Sequence, residues 1–218
     1  MQSKEIIHCA RDQLAVFFAR ILAHELNNIF TGIDGFAQLV EEDSGYLSEL
    51  VNIIKKEGRR GIILIRLFQE FVHRTPEEKE INLKAELNKM LTLLERAFQK
   101  NQIQLKLDID EKLKIKTNWF YLELALAHLL TQLSHLANIT INISARALPD
   151  QTELEISLPL LGPELPEDYF QTTFQLVQAI SKYLPLQLLA TEQEDQTCSI
   201  SFLFILKGEE KAKIAQAG

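Results

Sequence analysis

Residues 20–40 read RILAHELNNIFTGIDGFAQLV and set His24 and Glu25 side by side within an apolar helical pattern. An imidazole is a nucleophile near neutral pH, and a carboxylate close by can accept a hydrogen bond from one ring nitrogen and leave the other reactive. Such chemistry requires a ring that faces water. Leu22, Leu26, Ile29, Ile33, Phe36 and Val40 recur at alternating intervals of four and three, the seam of a helical bundle. At roughly 100° per residue, His24 lies about 120° or more around the helix from each of them and points out of the bundle. Arg20, Asn27, Asn28 and Thr31 complete a polar strip around it.

The elements that must carry this strip are long. Residues 5–43 keep a helical period without proline, DSGY (43–46) interrupts it, and a second helical stretch runs to Arg74. Two such helices joined by a tight turn form an antiparallel hairpin. A hairpin cannot enclose its own apolar stripe, so pairing with a second copy into a four-helix bundle is expected. RTPEEKE (74–80) is charged, contains proline and marks a boundary. Beyond it the period alternates between helix and strand. NLKAELNKMLTLLERAFQK, WFYLELALAHLLTQLSHLA and EDYFQTTFQLVQAISKYL read as helices. IQLKLDID, the two halves of ITINISARALPDQTELEISLPL and the two halves of LQLLATEQEDQTCSISFLFIL read as strands. The expected class is α+β, with a mixed sheet covered by helices on one face. The expected domains are a helical hairpin at 1–74, a hinge at 75–80, an α/β sandwich at 81–207 and a frayed tail at 208–218.

HELNN followed by TGIDGFAQLV resembles the H-box of two-component histidine kinases, in their dimerisation and histidine-phosphotransfer domain. The hairpin, central histidine, charged hinge and trailing α+β domain extend the resemblance over nearly the whole chain. It implies that His24 is a phosphoacceptor, that Glu25 polarises the imidazole, and that Asn28 can position a water for dephosphorylating a partner. A proline often follows that position in the family; Ile29 stands there in this chain.

The same resemblance implies an ATP-binding sandwich at 81–207, yet the nucleotide boxes are altered. The segment matching NLLxNAxxA is HLLTQLSHLA (128–137), with His128 in the first slot and Gln132 in place of the magnesium-binding asparagine. Gln132 is one methylene longer, so its amide misses the metal position. DxGxG is represented by LLGPELP (160–166), with one glycine, no aspartate, and Glu164 in the second glycine's slot. The lid boxes fall near QTTFQLVQ and QTCSISF, which contain no glycine. Gly162 is the only glycine between Gly61 and Gly208. Backbone cradles for phosphate rely on such residues, and no Walker-type GxxxxGK is present. Asp150 and Asp168 read as a turn residue and a helix-start residue. Productive ATP binding is not expected.

The expected function is therefore a dimeric histidine phosphotransfer protein, similar in plan to the ChpT-like phosphotransferases. The expected partners are a response-regulator receiver domain, also one within a hybrid histidine kinase, and a second copy of the chain. No cofactor is expected beyond the magnesium that a receiver brings. Lys55, Lys56, Arg59 and Arg60 on the second helix, with Arg20 on the first, form a candidate docking surface for an acidic receiver rim. Gly58 and Gly61 fall on one helical face and permit close helix approach. Three alternatives stay open: a binding module without catalysis, a kinase with divergent nucleotide boxes, and a phosphatase acting through Asn28.

Composition removes other classes. A net charge of −7 disfavours nucleic acid, and no apolar run reaches the roughly 20 residues of a membrane span. The first residues lack the apolar core of a secretory signal. Cys9 and Cys198 show no metal or disulfide spacing, and a cytoplasmic location is expected. His8, His73, His128 and His135 read as helix-face residues, and Trp119 and the phenylalanines as core.

Overall fold

The computed structural model describes residues 3–149, 151–159, 169–184, 186–193 and 199–207. Helix α1 (Ser3–Glu42) and helix α2 (Leu47–His73) are joined by a short 3-10 turn over Ser44–Tyr46. The Asp43 side chain caps that turn by accepting from the Gly45 amide at 2.8 Å. After the hairpin come β1 (Glu78–Asn82), α3 (Leu83–Lys100), β2 (Gln104–Asp108), β3 (Lys114–Asn118), α4 (Trp119–Leu133), β4 (Thr140–Ala147), β5 (Gln151–Pro159), α5 (Gln171–Ile180), β6 (Leu186–Gln193) and β7 (Ser199–Lys207).

The main sheet has the order β2-β4-β5-β7-β6, with β2 and β4 parallel and the remaining neighbours antiparallel. Its strands alternate as a half-buried sheet must. Ile141, Ile143, Leu154, Ile156, Leu158, Phe202 and Phe204 turn inward and are buried with the helices. The expected α+β architecture is present: a mixed sheet under a helical layer, with a helical hairpin preceding it.

Several elements differ from what the sequence predicts. Residues 78–80, read as hinge, begin β1, which pairs antiparallel with β3 in a separate two-stranded sheet. Both strands are five residues long and lysine- or glutamate-rich, so their alternation carries little apolar signal; Ile81 and Ile115 face each other across the ladder and are its buried pair. Helix α4 ends at Leu133 rather than continuing through 137, and Asn138 takes the left-handed φ of 56° that asparagine tolerates. Residues 160–168, with Gly162, Glu164 and Asp168, lie outside the described residues, as do Asp150, Cys198 and the tail at 208–218. Cys9 is free and exposed.

Helix α1 outreaches α2 and packs on α3, α4 and α5. Its inward residues Ile7, Ala10, Leu14 and Phe18 belong to the same apolar cluster as the sheet and its helices. Phe18 meets Phe71 of α2 edge-on at 4.9 Å between ring centroids. Arg11 donates to the Val72 carbonyl near the end of α2 and lies 5.4 Å over the Phe120 ring of α4. The hairpin and the sandwich thus share one core. Phe18→Ala should cost about 3–5 kcal/mol, read as a lowered urea midpoint in a single transition.

Where α2 leaves for β1, Arg74 lies 2.8 Å from Glu123 of α4 and 3.4 Å from Glu86 of α3. Burial pushes the Glu123 carboxyl up to about 7; the Arg74 charge opposes that shift without cancelling it, and Glu86 adds to it. The folded chain therefore binds this proton more tightly than the unfolded chain does. Its stabilising effect is full below the unfolded value near 4.5 and is lost as pH rises through about 7. The difference is about 3 kcal/mol at 1.36 kcal/mol per pKa unit. Urea midpoints between pH 5 and pH 8 should fall as pH rises, and Glu123→Gln should flatten that slope.

Candidate functional site

His24 is exposed midway along α1, and its Nδ1 lies 3.0 Å from Asn28 Nδ2 one turn on. Residues four apart on a helix stack on one face, which brings the amide to the ring. An asparagine amide presents either its carbonyl or its NH2 group to a neighbour. With the carbonyl toward Nδ1, the proton stays on Nδ1 and the Nε2 lone pair faces solvent. With the NH2 group toward Nδ1, that lone pair is engaged and the proton sits on Nε2. A flip of one exposed amide thus separates a ring nucleophilic at Nε2 from one that is not.

Glu25 does not contact the ring, which corrects the expectation that it would polarise His24. Adjacent positions on a helix diverge by roughly 100°, and Glu25 falls on the buried side of α1. It is 2% exposed, with Oε2 at 2.5 Å from Arg60 Nη2 of α2 and Oε1 at 3.3 Å from Arg96 Nε of α3. A carboxylate buried at this depth must be paired, and two arginines pair it. Asn28 is the ring's partner instead.

Arg60 consequently differs from the free docking cation read in the sequence. Its other terminal nitrogen lies 3.8 Å from Glu57, and Lys56 lies 3.9 Å from the same carboxylate. Arg20, Lys55 and Arg59 stand on exposed helix faces. The hairpin register places Arg60 level with Glu25 and Gly61 on Ile29 and Leu26, slightly nearer the hairpin's open end than a symmetric turn at 44–45 would give. A Cβ at Gly61 would sit 3.4 Å from both the Ile29 and Leu26 methyls, so this glycine marks the close approach of the helices; Gly58 has open space around it. Nothing in the sequence around Arg96 marks it as a site residue. It sits in an ordinary amphipathic helix, and only the docking of α3 on the hairpin brings it to α1.

In the sandwich, His128 and Gln132 of α4 bond to Tyr169 and to Thr172 and Thr173 of α5. His128 Nδ1 lies 3.0 Å from Thr173 Oγ1, and the Thr173 hydroxyl donates to Gln132 Oε1. Gln132 Nε2 donates to Thr172 Oγ1 at 2.8 Å and to the Tyr169 carbonyl at 3.2 Å, and the Tyr169 hydroxyl returns to the Gln132 carbonyl at 3.0 Å. Burial lowers the His128 pKa, which suits a neutral ring donating from Nδ1 to a hydroxyl already committed to Gln132. This chain of bonds straps α5 to α4. His128 thus stands on the face of α4 that meets α5. Among the described residues there is no group of three or more acidic, cysteine or histidine side chains arranged to hold a metal. No described helix is long and apolar enough to cross a membrane.

No protein-family model and no curated protein matches this chain. Solved structures do. The histidine kinase AdeS of Acinetobacter baumannii superposes with a TM-score of 0.51 at 17% identity, over 86% of this chain and 98% of that one. A histidine kinase from Burkholderia phymatum STM815 gives 0.50 at 15%, over 92% and 97%. The catalytic domain of the histidine kinase ThkA, in a nucleotide-free form, gives 0.51 at 16%, over 60% and 95%. The likeness is one of fold: a helical N-terminal part followed by a sandwich like the ATP-binding domain of histidine kinases.

The buried Glu25 should be sensitive to losing either counterion. Arg60→Ala should lower stability by about 1–3 kcal/mol in a urea titration, discounted from the figure for a fully buried pair because Arg60 is half-exposed. Combining it with Glu25→Gln should recover part of that loss.

Proposed function

We propose that the chain is a histidine phosphotransfer protein that exchanges a phosphoryl group between His24 and the aspartate of a response-regulator receiver domain, without using ATP itself. The observation that carries this reading is an exposed imidazole whose Nδ1 meets the Asn28 amide, on a helix packed against its neighbours. In the transfer, the Nε2 lone pair attacks the phosphorus of the receiver's acyl phosphate. The N–P bond forms as the O–P bond breaks, and the aspartate leaves as a carboxylate with the bonding electrons. Such transition states are loose, so positioning and charge neutralisation supply most of the rate. The receiver brings the magnesium and the acidic pocket. The chain brings the ring, and turning the Asn28 amide from the orientation seen, with its NH2 group at Nδ1, so that its carbonyl faces Nδ1 keeps the proton off the attacking nitrogen.

The strap between Gln132, Thr172, Thr173, His128 and Tyr169 supports a sandwich that has given up nucleotide for internal bonding. Its contribution is then a wall behind α1 and part of the surface a receiver meets. Helix α2 also carries Leu47, Val51, Ile54 and Ile62 exposed at intervals of four, three and eight residues, while Phe30 of α1 is 63% exposed. That stripe is the seam of a four-helix bundle with a second copy of the chain. In this reading residues 1–74 are the dimerisation and phosphotransfer unit and 81–207 the degenerate ATPase-like unit.

Incubation with labelled receiver domains should move acid-labile, base-stable phosphate onto the chain. His24→Ala should reduce acceptance to background, and Asn28→Ala should slow it about tenfold, the worth of one hydrogen bond of about 1.4 kcal/mol. Label arriving from ATP and magnesium alone would make the chain a kinase, and receiver binding unaffected by His24→Ala with no transfer would make it a binding module. Light scattering should give a mass near twice the 25.0 kDa of the chain.

A further inference from the structure

Glu25 divides two flanks of α1. At roughly 100° per residue, Leu26 and Ile29 lie on one side of it, and Asn28 and His24 on the other. Helix α2 packs on the first flank, where Gly61 meets Leu26 and Ile29. Helix α3 runs antiparallel along α2, as the pairs Arg74–Glu86 and Glu70–Lys89 show, and reaches α1 at Glu25. It therefore lies on the side of Glu25 that carries His24. Arg96 is the α3 residue that arrives there. Its ion pair with Glu25 runs through Nε, its side chain is 47% exposed, and its two terminal nitrogens remain for a second anion. Arg60 is less available, since both of its terminal nitrogens face carboxylates.

On the reading that His24 is the phosphoacceptor, we propose that Arg96 is a phosphoryl-binding residue of the site, contributed by the degenerate ATPase-like domain. Glu25 holds the guanidinium by Nε beside His24, and the terminal N–H groups take the phosphoryl oxygens when Nε2 carries phosphate. Guanidinium is suited to this because its planar fork binds two anions at once, one along each edge. A lysine at this position would have to choose between them. The sandwich is then more than a scaffold: it supplies a side chain that neutralises the group being transferred. Glu25 is a positioning residue that acts through Arg96.

The test is the ionisation of the phosphoryl group itself. The full chain is loaded at His24 with phosphoramidate, or from a phosphorylated receiver, and the ³¹P shift of the phosphohistidine is followed against pH. A guanidinium on the oxygens favours the dianion, so Arg96→Ala should raise the titration midpoint by about one unit, the lower end of the effect of an opposite charge within contact range. Arg96→Lys, which keeps a cation on Glu25, should recover part of that shift, and circular dichroism should show both variants folded. A midpoint unchanged in both variants overturns the role of Arg96 and leaves His24 as the acceptor. Phosphate that never appears on His24 in the wild-type chain overturns the acceptor and Arg96 together.

Discussion

A carboxylate buried to 2% exposure in the middle of a 40-residue helix is the constraint on which the rest of the molecule is arranged. A carboxylate at this depth calls for counterions, and the two that Glu25 has come from two other helices. Arg60 ties α1 to α2 and sets the hairpin register, so Gly61 falls against Ile29 and Leu26. Arg96 ties α1 to α3 and sets the sandwich against the hairpin. One acidic side chain thereby fixes three helices at the level of His24. Because buried charge tolerates little misplacement, these pairs specify a single arrangement, while apolar burial supplies the driving force.

That driving force is distributed unusually for a chain with a helical arm and a sandwich. The first turns of α1 run past the end of α2 and place Ile7, Ala10, Leu14 and Phe18 in the core of the second unit. Arg11 and the Phe18–Phe71 contact reinforce the same junction. The segment between α2 and β1 is held as well, through Arg74 on Glu86 and Glu123. A histidine presented from this body is presented from a rigid element, which is what in-line transfer to a partner's acyl phosphate requires. Mobility of the sandwich against the hairpin, useful where one domain must bring nucleotide to a histidine, has no part in the proposed chemistry.

The strap between α4 and α5 follows the same logic. Gln132 and His128 bring polar side-chain groups from α4 to the face it shares with α5. The Gln132 amide and His128 Nδ1 find partners within the protein, as polar atoms withdrawn from water must. Thr173 serves as the relay, accepting from His128 and donating to Gln132.

Periodicity alone determined most of the architecture. The two long helices, the sheet-forming segments and the outward direction of His24 all follow from spacing, since a side chain's angular position on a helix is set by its index. The resemblance of HELNN and its flank pointed to the chemistry, and the missing glycines pointed away from nucleotide. Strands β1 and β3 escaped because short charged strands lack an apolar alternation to read. The partners of Glu25 and Asn28 were decided only by tertiary structure. Sequence adjacency suggested that Glu25 serves His24, but adjacent helical residues diverge, and burial turned Glu25 toward arginines from α2 and α3. Arg96 and Arg60 could not be assigned from their own segments. Which charges meet depends on how helices pack, and packing is a property of the whole chain rather than of any local stretch.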